Sequence, residues 1–187
     1  MTKEIVAFQG EKGAYSHLAC EEMFPKATIK TCATFEETFK MASEDENIKI
    51  MVPIENSLAG RVADIHYLLT KYKLQIYSEH FQNVEHNLLV KEGTELKDIK
   101  YVRSHVQAID QCQKIISKNK FKTIISADTA GSAKDLSTSN DKSIAAIASK
   151  LSAKIYNLKI LKSNIEDDTG NVTRFLIMGK KVNQPEN

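Results

Sequence analysis

Thr173 and Arg174 stand at the head of an apolar run, Phe175-Leu176-Ile177-Met178, just after the polar stretch Asp168-Thr169-Gly170-Asn171. A hydroxyl and a guanidinium at the mouth of a buried strand suit an anionic, oxygen-rich ligand. Arginine presents a planar fork of donors matched to a carboxylate, and threonine can give or take a hydrogen bond. Such a pair is also common surface decoration, so it gains weight only from other clusters like it. One is Pro53-Ile54-Glu55-Asn56-Ser57-Leu58-Ala59-Gly60, which leaves an apolar run and enters a helical pattern. Asn56 can donate and accept, which suits a ring hydroxyl, although Asn56 or Ser57 could equally be an N-cap.

Three further clusters have the same strand-end character. In Ser104-His105-Val106-Gln107-Ala108-Ile109-Asp110-Gln111, Gln107 and Gln111 lie four apart and share one side of a helix that Ser104 would cap. His105 invites a general-base role but reads better as a structural residue at a helix start. Asp128-Thr129-Ala130-Gly131-Ser132 offers hydroxyls and amides able to receive a carboxylate, with capping by Asp128 or Thr129 as the competing use. Phe8-Gln9-Gly10-Glu11-Lys12-Gly13-Ala14-Tyr15-Ser16 is a strand, a glycine turn and a helix start. It lacks the third glycine of a dinucleotide fingerprint, and Lys30 stands where the ribose-binding acid belongs. His17, His66, His80 and His86 show no metal-ligand spacing. Asn171-Val172-Thr173 matches a glycosylation sequon, which matters only for a secreted chain.

Short apolar runs alternating with helical patterns must position these clusters. Strands are expected at Glu4–Phe8, Thr28–Thr31 and Ile48–Pro53, with helices at Ser16–Met23, Thr34–Ala42 and Ala59–Tyr72. Thr34 followed by Glu37 is a capping-box pattern. After strands at Leu74–Tyr77 and Val84–Val90 a second unit begins. Its strands are expected at Tyr101–Arg103, Lys122–Ser126 and Ser143–Ala146, its helices at Val106–Ser117, Thr129–Leu136 and Ile147–Tyr156. Leu158–Leu161 and Val172–Met178 are read as strands returning to the first unit. This is an α/β chain with a first lobe over residues 1–80 plus 160–180, a second over 81–159, and a frayed tail at 181–187. A cleft between such lobes is where small ligands bind.

The totals exclude several classes. With 187 residues, 42% hydrophobic and 27% charged, the chain is an ordinary globular one. A net charge of +2 argues against nucleic-acid and membrane partners. Cys20, Cys32 and Cys112 form no C-x-x-C pair, which implies reduced, buried thiols and a cytoplasmic setting. Met1–Ala7 carries no signal-peptide pattern, and no stretch approaches a membrane span.

Together the strings FQGEKGAYS, PIENSLAG, SHVQAIDQC, DTAGSA and GNVTRF resemble, in order and spacing, segments of the prephenate dehydratase family from about Val6 to Met178. The resemblance implies two Rossmann-like lobes of the type II periplasmic-binding-protein kind, with the active site in the cleft between them. It implies decarboxylating dehydration of prephenate to phenylpyruvate, water and carbon dioxide in L-phenylalanine biosynthesis. Thr173 is implied as the acid, with Asn56, Gln111 and Ser104 as further catalytic residues. Arg174, Phe175, Ser57, Glu55, Gln107, Thr129 and Ala130 are implied as substrate-binding. Val106 departs from the family's usual Pro, and Gly170 from its usual Asn.

No metal or organic cofactor is implied, and the expected partner is prephenate; a homodimer is the default assembly. Family members often carry a phenylalanine-sensing ACT domain or a chorismate mutase, and the chain is expected to hold neither. A rival within the resemblance is an arogenate dehydratase; a rival outside catalysis is a solute-binding protein of the same fold.

Overall fold

The computed structural model describes residues 4–180. In chain order the elements are β1 (Ile5–Gln9), α1 (Tyr15–Met23), β2 (Thr28–Cys32), α2 (Phe35–Glu44), β3 (Ile48–Asn56), β4 (Gly60–Arg61), α3 (Ala63–Tyr72), β5 (Gln75–Asn83) and β6 (Asn87–Val90). There follow β7 (Tyr101–Ser104), α4 (Val106–Asp110), α5 (Gln113–Asn119), β8 (Lys122–Ile125), α6 (Thr129–Thr138), β9 (Ile144–Ala148), α7 (Lys150–Ile155), β10 (Lys159–Lys162) and β11 (Val172–Gly179). They divide into two compact units. The first runs to Gly10, resumes over Ser16–Gln82 and ends with the chain from Val172; the second takes Glu11–Tyr15 and Asn83–Asn171.

In the first unit the sheet order is β2-β1-β3-β11-β5, with the short β4 paired to β3. β1 lies parallel to β2 and β3, whereas β11 runs antiparallel to β3. Val6, Ala7 and Phe8 are all fully buried, as a central strand covered on both faces requires. Phe39 of α2 and Ile65 of α3 pack with Ala7, Ile50, Val52 and Met178 into one core. Thr34 caps α2 by accepting from the Glu37 N–H at 3.1 Å, and the Glu37 carboxylate takes the Ala33 N–H at 2.7 Å.

The segment Ala59–Tyr72, expected as one helix, instead opens with a hairpin. β3 continues through Glu55 and Asn56, which pair with Arg61 and Gly60 of β4. Gly60 takes φ +82°, a turn conformation that an L side chain resists. The helix begins only at Ala63. Apolar spacing carried no information about this turn.

In the second unit the order is β10-β6-β9-β7-β8. Leu88, Val90, Val102, Ile109, Cys112, Ala145 and Ile147 fill its core. Three expectations need correction here. Leu158–Leu161 was read as returning to the first unit, but β10 pairs antiparallel with β6 in the second sheet, and the return falls at Val172. Ile147–Tyr156 was read as helix, yet Ile147 and Ala148 finish β9, and Ser149 caps α7 by accepting from the Ser152 N–H at 3.0 Å. Val106–Ser117 is two helices, not one. The Gln111 carbonyl accepts from the Asp167 N–H at 2.6 Å, and the Asp167 carboxylate accepts from the Lys114 N–H at 3.1 Å. A distant segment thus satisfies the helix end and the next helix start together. Beyond Lys180 the expected tail lies outside the described residues.

Candidate active site

The first unit assembles its polar side chains through strand register. Thr173 of β11 sits opposite Asn56 of β3, and Arg174 opposite Glu55. The Asn56 Oδ1 accepts from the Leu58 and Ala59 N–H groups at 3.0 and 2.9 Å, so the tight turn itself orients the carboxamide. Its Nδ2 then donates to the Thr173 Oγ1 at 2.9 Å and to the Val172 carbonyl at 3.3 Å. With Oγ1 accepting from an amide, the Thr173 proton can be donated elsewhere, and the O–H bond is polarised in the direction of a better acid. Ser57 clamps the strand ends: its N–H donates to the Val172 carbonyl and its Oγ accepts from the Val172 N–H, both at 2.9 Å.

Arg174 is engaged by two carboxylates. Its Nε donates to the Glu79 Oε2 at 2.7 Å and its NH1 to the Glu55 Oε1 at 3.2 Å, with the Phe81 ring 5.9 Å from the guanidinium carbon. These bonds to Glu79 and then Glu55 hold Arg174 above its usual pKa. Glu79 and Phe81 were not singled out in the sequence, because β5 reads there as a polar segment. Phe175, expected at the ligand, is 1% exposed and belongs to the interior. The pairing of β11 with β3 shifts register between Arg174 and Phe175.

The second unit organises its group differently. Gln111 ends α4, and its Oε1 accepts from the Asn171 Nδ2 at 2.8 Å and lies 2.8 Å from the His86 Nε2. The His86 Nδ1 in turn lies 2.9 Å from the oxygen of the Tyr15 hydroxyl, which donates its proton to the Glu85 carbonyl at 2.8 Å. His86 is 2% exposed, and burial pushes its pKa below the ordinary histidine range against the opposing pull of Gln111 and Glu166. Tyr15 is pushed well up, by burial first and then by Cys112, Glu166 and Glu85. Tyr15, His86 and Asn171 carried no functional signal in the sequence beyond lying inside or beside quoted clusters.

Ser104 does not cap α4. It is the last residue of β7, fully buried, and its hydroxyl donates to the Ile147 carbonyl at 2.7 Å. His105 is the cap, its Nδ1 accepting from the Gln107 N–H at 3.3 Å, which leaves Gln107 on the exposed side of a short helix. Asp128 caps α6, accepting from the Gly131 N–H at 2.6 Å, so the amides at the helix start share their field with a carboxylate. Thr129 is half-buried there and Ala130 is fully buried. The cysteines are free and buried, and burial raises Cys20 to about 12. Among the described residues no group of three or more His, Cys, Asp or Glu side chains is disposed to hold a metal ion. A cavity of about 670 Å³ in the first unit, bordered by Gln9, Thr34, Phe35, Asp64 and Tyr67, contains none of the expected site residues.

Two α/β units with their own sheets, bearing hydroxyl and carboxamide groups at strand and helix ends, define a small-ligand α/β protein. The chain belongs to the prephenate dehydratase family, whose model, described as "Prephenate dehydratase", matches residues 6–183. A bifunctional N-acyl-homoserine lactone acylase/prephenate dehydratase of Komagataeibacter europaeus is 41% identical, over 96% of this chain and 64% of that protein. Arogenate dehydratase/prephenate dehydratase 2, chloroplastic, of Arabidopsis thaliana is 38% identical, over 94% of this chain and 46% of that protein. The solved prephenate dehydratase of Arthrobacter aurescens in complex with L-Phe superposes with a TM-score of 0.87 at 28% identity, covering 98% of this chain and 62% of that one. The chain thus spans about half to two thirds of the length of these relatives.

Proposed function

We propose that this chain catalyses the decarboxylating dehydration of prephenate to phenylpyruvate, carbon dioxide and water. The observation that carries the reading is the Asn56–Thr173 hydrogen bond of 2.9 Å, made by two residues that the family resemblance marks as catalytic. In the reaction the bond from the ring to its carboxylate breaks, that electron pair enters the ring, and the carbon–oxygen bond to the 4-hydroxyl breaks. Aromatisation drives the change; hydroxide leaves poorly unless a proton reaches it. Thr173 supplies that hydrogen bond or proton, and general acids of this kind contribute roughly 100- to 10,000-fold. Asn56 is neutral, which suits a ring carboxylate that must not be held too tightly in its charged form. Arg174 keeps guanidinium N–H groups beyond those given to Glu55 and Glu79, and these are assigned to the side-chain carboxylate.

Arogenate is the second substrate to weigh, because relatives at 38% identity carry both names. Side-by-side kinetics on prephenate and arogenate, with a no-enzyme control for spontaneous breakdown, decide between them. A prephenate rate no higher than the control would sink the reading. No described helix is long and apolar enough to cross a membrane; work in the cytoplasm as a homodimer completes the proposal.

A further inference from the structure

Beyond the Asn56–Thr173 pair the antiparallel ladder has one more rung, and a side chain completes it. Two residues facing each other in a hydrogen-bonded pair of such a ladder exchange both N–H···O bonds through their main chains. Ser57 and Val172 keep half of that pattern. The Ser57 N–H donates to the Val172 carbonyl at 2.9 Å, and the return bond runs from the Val172 N–H to the Ser57 Oγ, also at 2.9 Å. β3 ends at Asn56, where the chain enters the turn that leads to β4. A hydroxyl thus stands where a strand would have offered its carbonyl.

These two bonds reach both peptide planes that meet at Val172. The N–H belongs to the plane shared with Asn171, the carbonyl to the plane shared with Thr173. The same carbonyl takes the Asn56 Nδ2 at 3.3 Å, and that nitrogen donates to the Thr173 Oγ1 at 2.9 Å. Ser57 therefore fixes the main chain from which the Thr173 side chain departs, while Asn56 fixes the side chain itself. On its far side Thr173 leads into buried strand, Phe175 to Met178. Only the near side needs an added hold.

We propose that Ser57 is a positioning residue for the Thr173 hydroxyl: by standing in for a main-chain carbonyl, its Oγ holds Val172 and keeps Oγ1 aligned on the Asn56 amide. This role rests on the dehydratase reading and differs from the substrate-binding one that the family resemblance implies for Ser57. Ser57 is exposed, so removing its hydroxyl takes away little packing. Misplacing a reacting group costs rate steeply even where the fold stands.

Ser57→Ala tests the role, with Ser57→Thr as the variant that keeps the hydroxyl. Ser57→Ala is expected to lower kcat about tenfold with KM changed less than about twofold, and Ser57→Thr to recover most of the rate. The melting point of Ser57→Ala should fall by no more than about 4 °C. A raised KM with kcat unchanged would make Ser57 a substrate-binding residue and overturn the proposal. So would a threonine variant as slow as the alanine one, because the hydroxyl would then not be the agent. In an Asn56→Ala background, where the amide that receives Thr173 is gone, Ser57→Ala should cost less than about twofold more. Equal losses in both backgrounds would show that Ser57 does not act through this pair.

A second arm needs no substrate. Three-bond couplings from the Thr173 Cγ2 to its own nitrogen and carbonyl carbon read the side-chain rotamer, and amide hydrogen exchange reads the Val172 N–H. Wild type and Ser57→Thr are expected to show one rotamer and slow exchange; Ser57→Ala should show averaged couplings and exchange at least about tenfold faster at Val172. Couplings unchanged in Ser57→Ala overturn the proposal. If the couplings change as expected but the chain turns over no prephenate, the positioning stands and the dehydratase reading alone fails.

Discussion

The two units hold their polar groups by different means. In the first, main chain does the holding: antiparallel register sets Thr173 beside Asn56, and two turn N–H groups fix the Asn56 amide. In the second, side chain holds side chain, from Tyr15 through His86 to Gln111, with Asn171 as the other anchor. A backbone-held pair is rigid as long as the sheet stands. A side-chain relay depends on where each proton sits, so it can be disturbed without unfolding anything. Placement of the Thr173 hydroxyl is thus built into the ladder, whereas the Gln111 carboxamide is held by its side-chain neighbours.

The largest test of that contrast is Thr173→Ala, expected to reduce kcat by roughly 100- to 10,000-fold with little change in KM. Thr173→Ser should restore much of the rate, because register and not the methyl group places the oxygen. A matching rise in KM would mean that Thr173 binds substrate and does not act on the leaving group. Next comes Gly13→Ala in the second unit. An added Cβ would lie 2.5 Å from the Ser152 Oγ and 2.9 Å from its Cα, at a backbone φ of +93°. Destabilisation of about 2 kcal/mol or more is expected, seen as a melting point lower by several degrees. An unchanged melting point would show that the loop around Tyr15 is not anchored as described.

Arg174→Leu should raise KM by about tenfold with a smaller effect on kcat, a guanidinium–carboxylate contact being the interaction removed. If kcat falls instead, the arginine serves to hold Glu55 and Glu79 and not the substrate. The mildest effect concerns pH. His86 is depressed in the folded chain, so below about 6.5 the unfolded chain binds more protons, and stability is lost as pH falls through the folded value. Cys20 is raised to about 12, so the unfolded thiol ionises first, and stability is lost as pH rises from 9 toward 12. Denaturant titrations across that range should give a plateau between the two edges; His86→Gln should flatten only the acidic one.

Much of the first unit's group was legible, because its cues are local. Glu55-Asn56-Ser57 and Thr173-Arg174 each announce a strand end with polar side chains, and pairing brings such ends together. Capping of α2 by Thr34 and of α6 by Asp128 was legible for the same reason. Ser104 was read as the cap that His105 supplies, because a cap is set by one residue of register, which spacing does not resolve. The break after Gln111 was not legible, since Asp167, more than fifty residues away, causes it. His86 was passed over because it has no ligand-like spacing; its partners come from Tyr15 and Gln111, and only folding makes them neighbours.

Gly13 marks a further consequence of how the chain is threaded. Its carbonyl takes the Ser149 and Ser152 hydroxyls at 2.6 and 3.0 Å, which fastens Glu11–Tyr15 to the second unit although both flanking segments belong to the first. That unit is therefore not a single excisable stretch. A gene fragment encoding only Asn83–Asn171 would omit Tyr15 and the carbonyl those serines grip. Anyone transplanting this half onto another scaffold must graft the five-residue insert as well, or design a substitute for it.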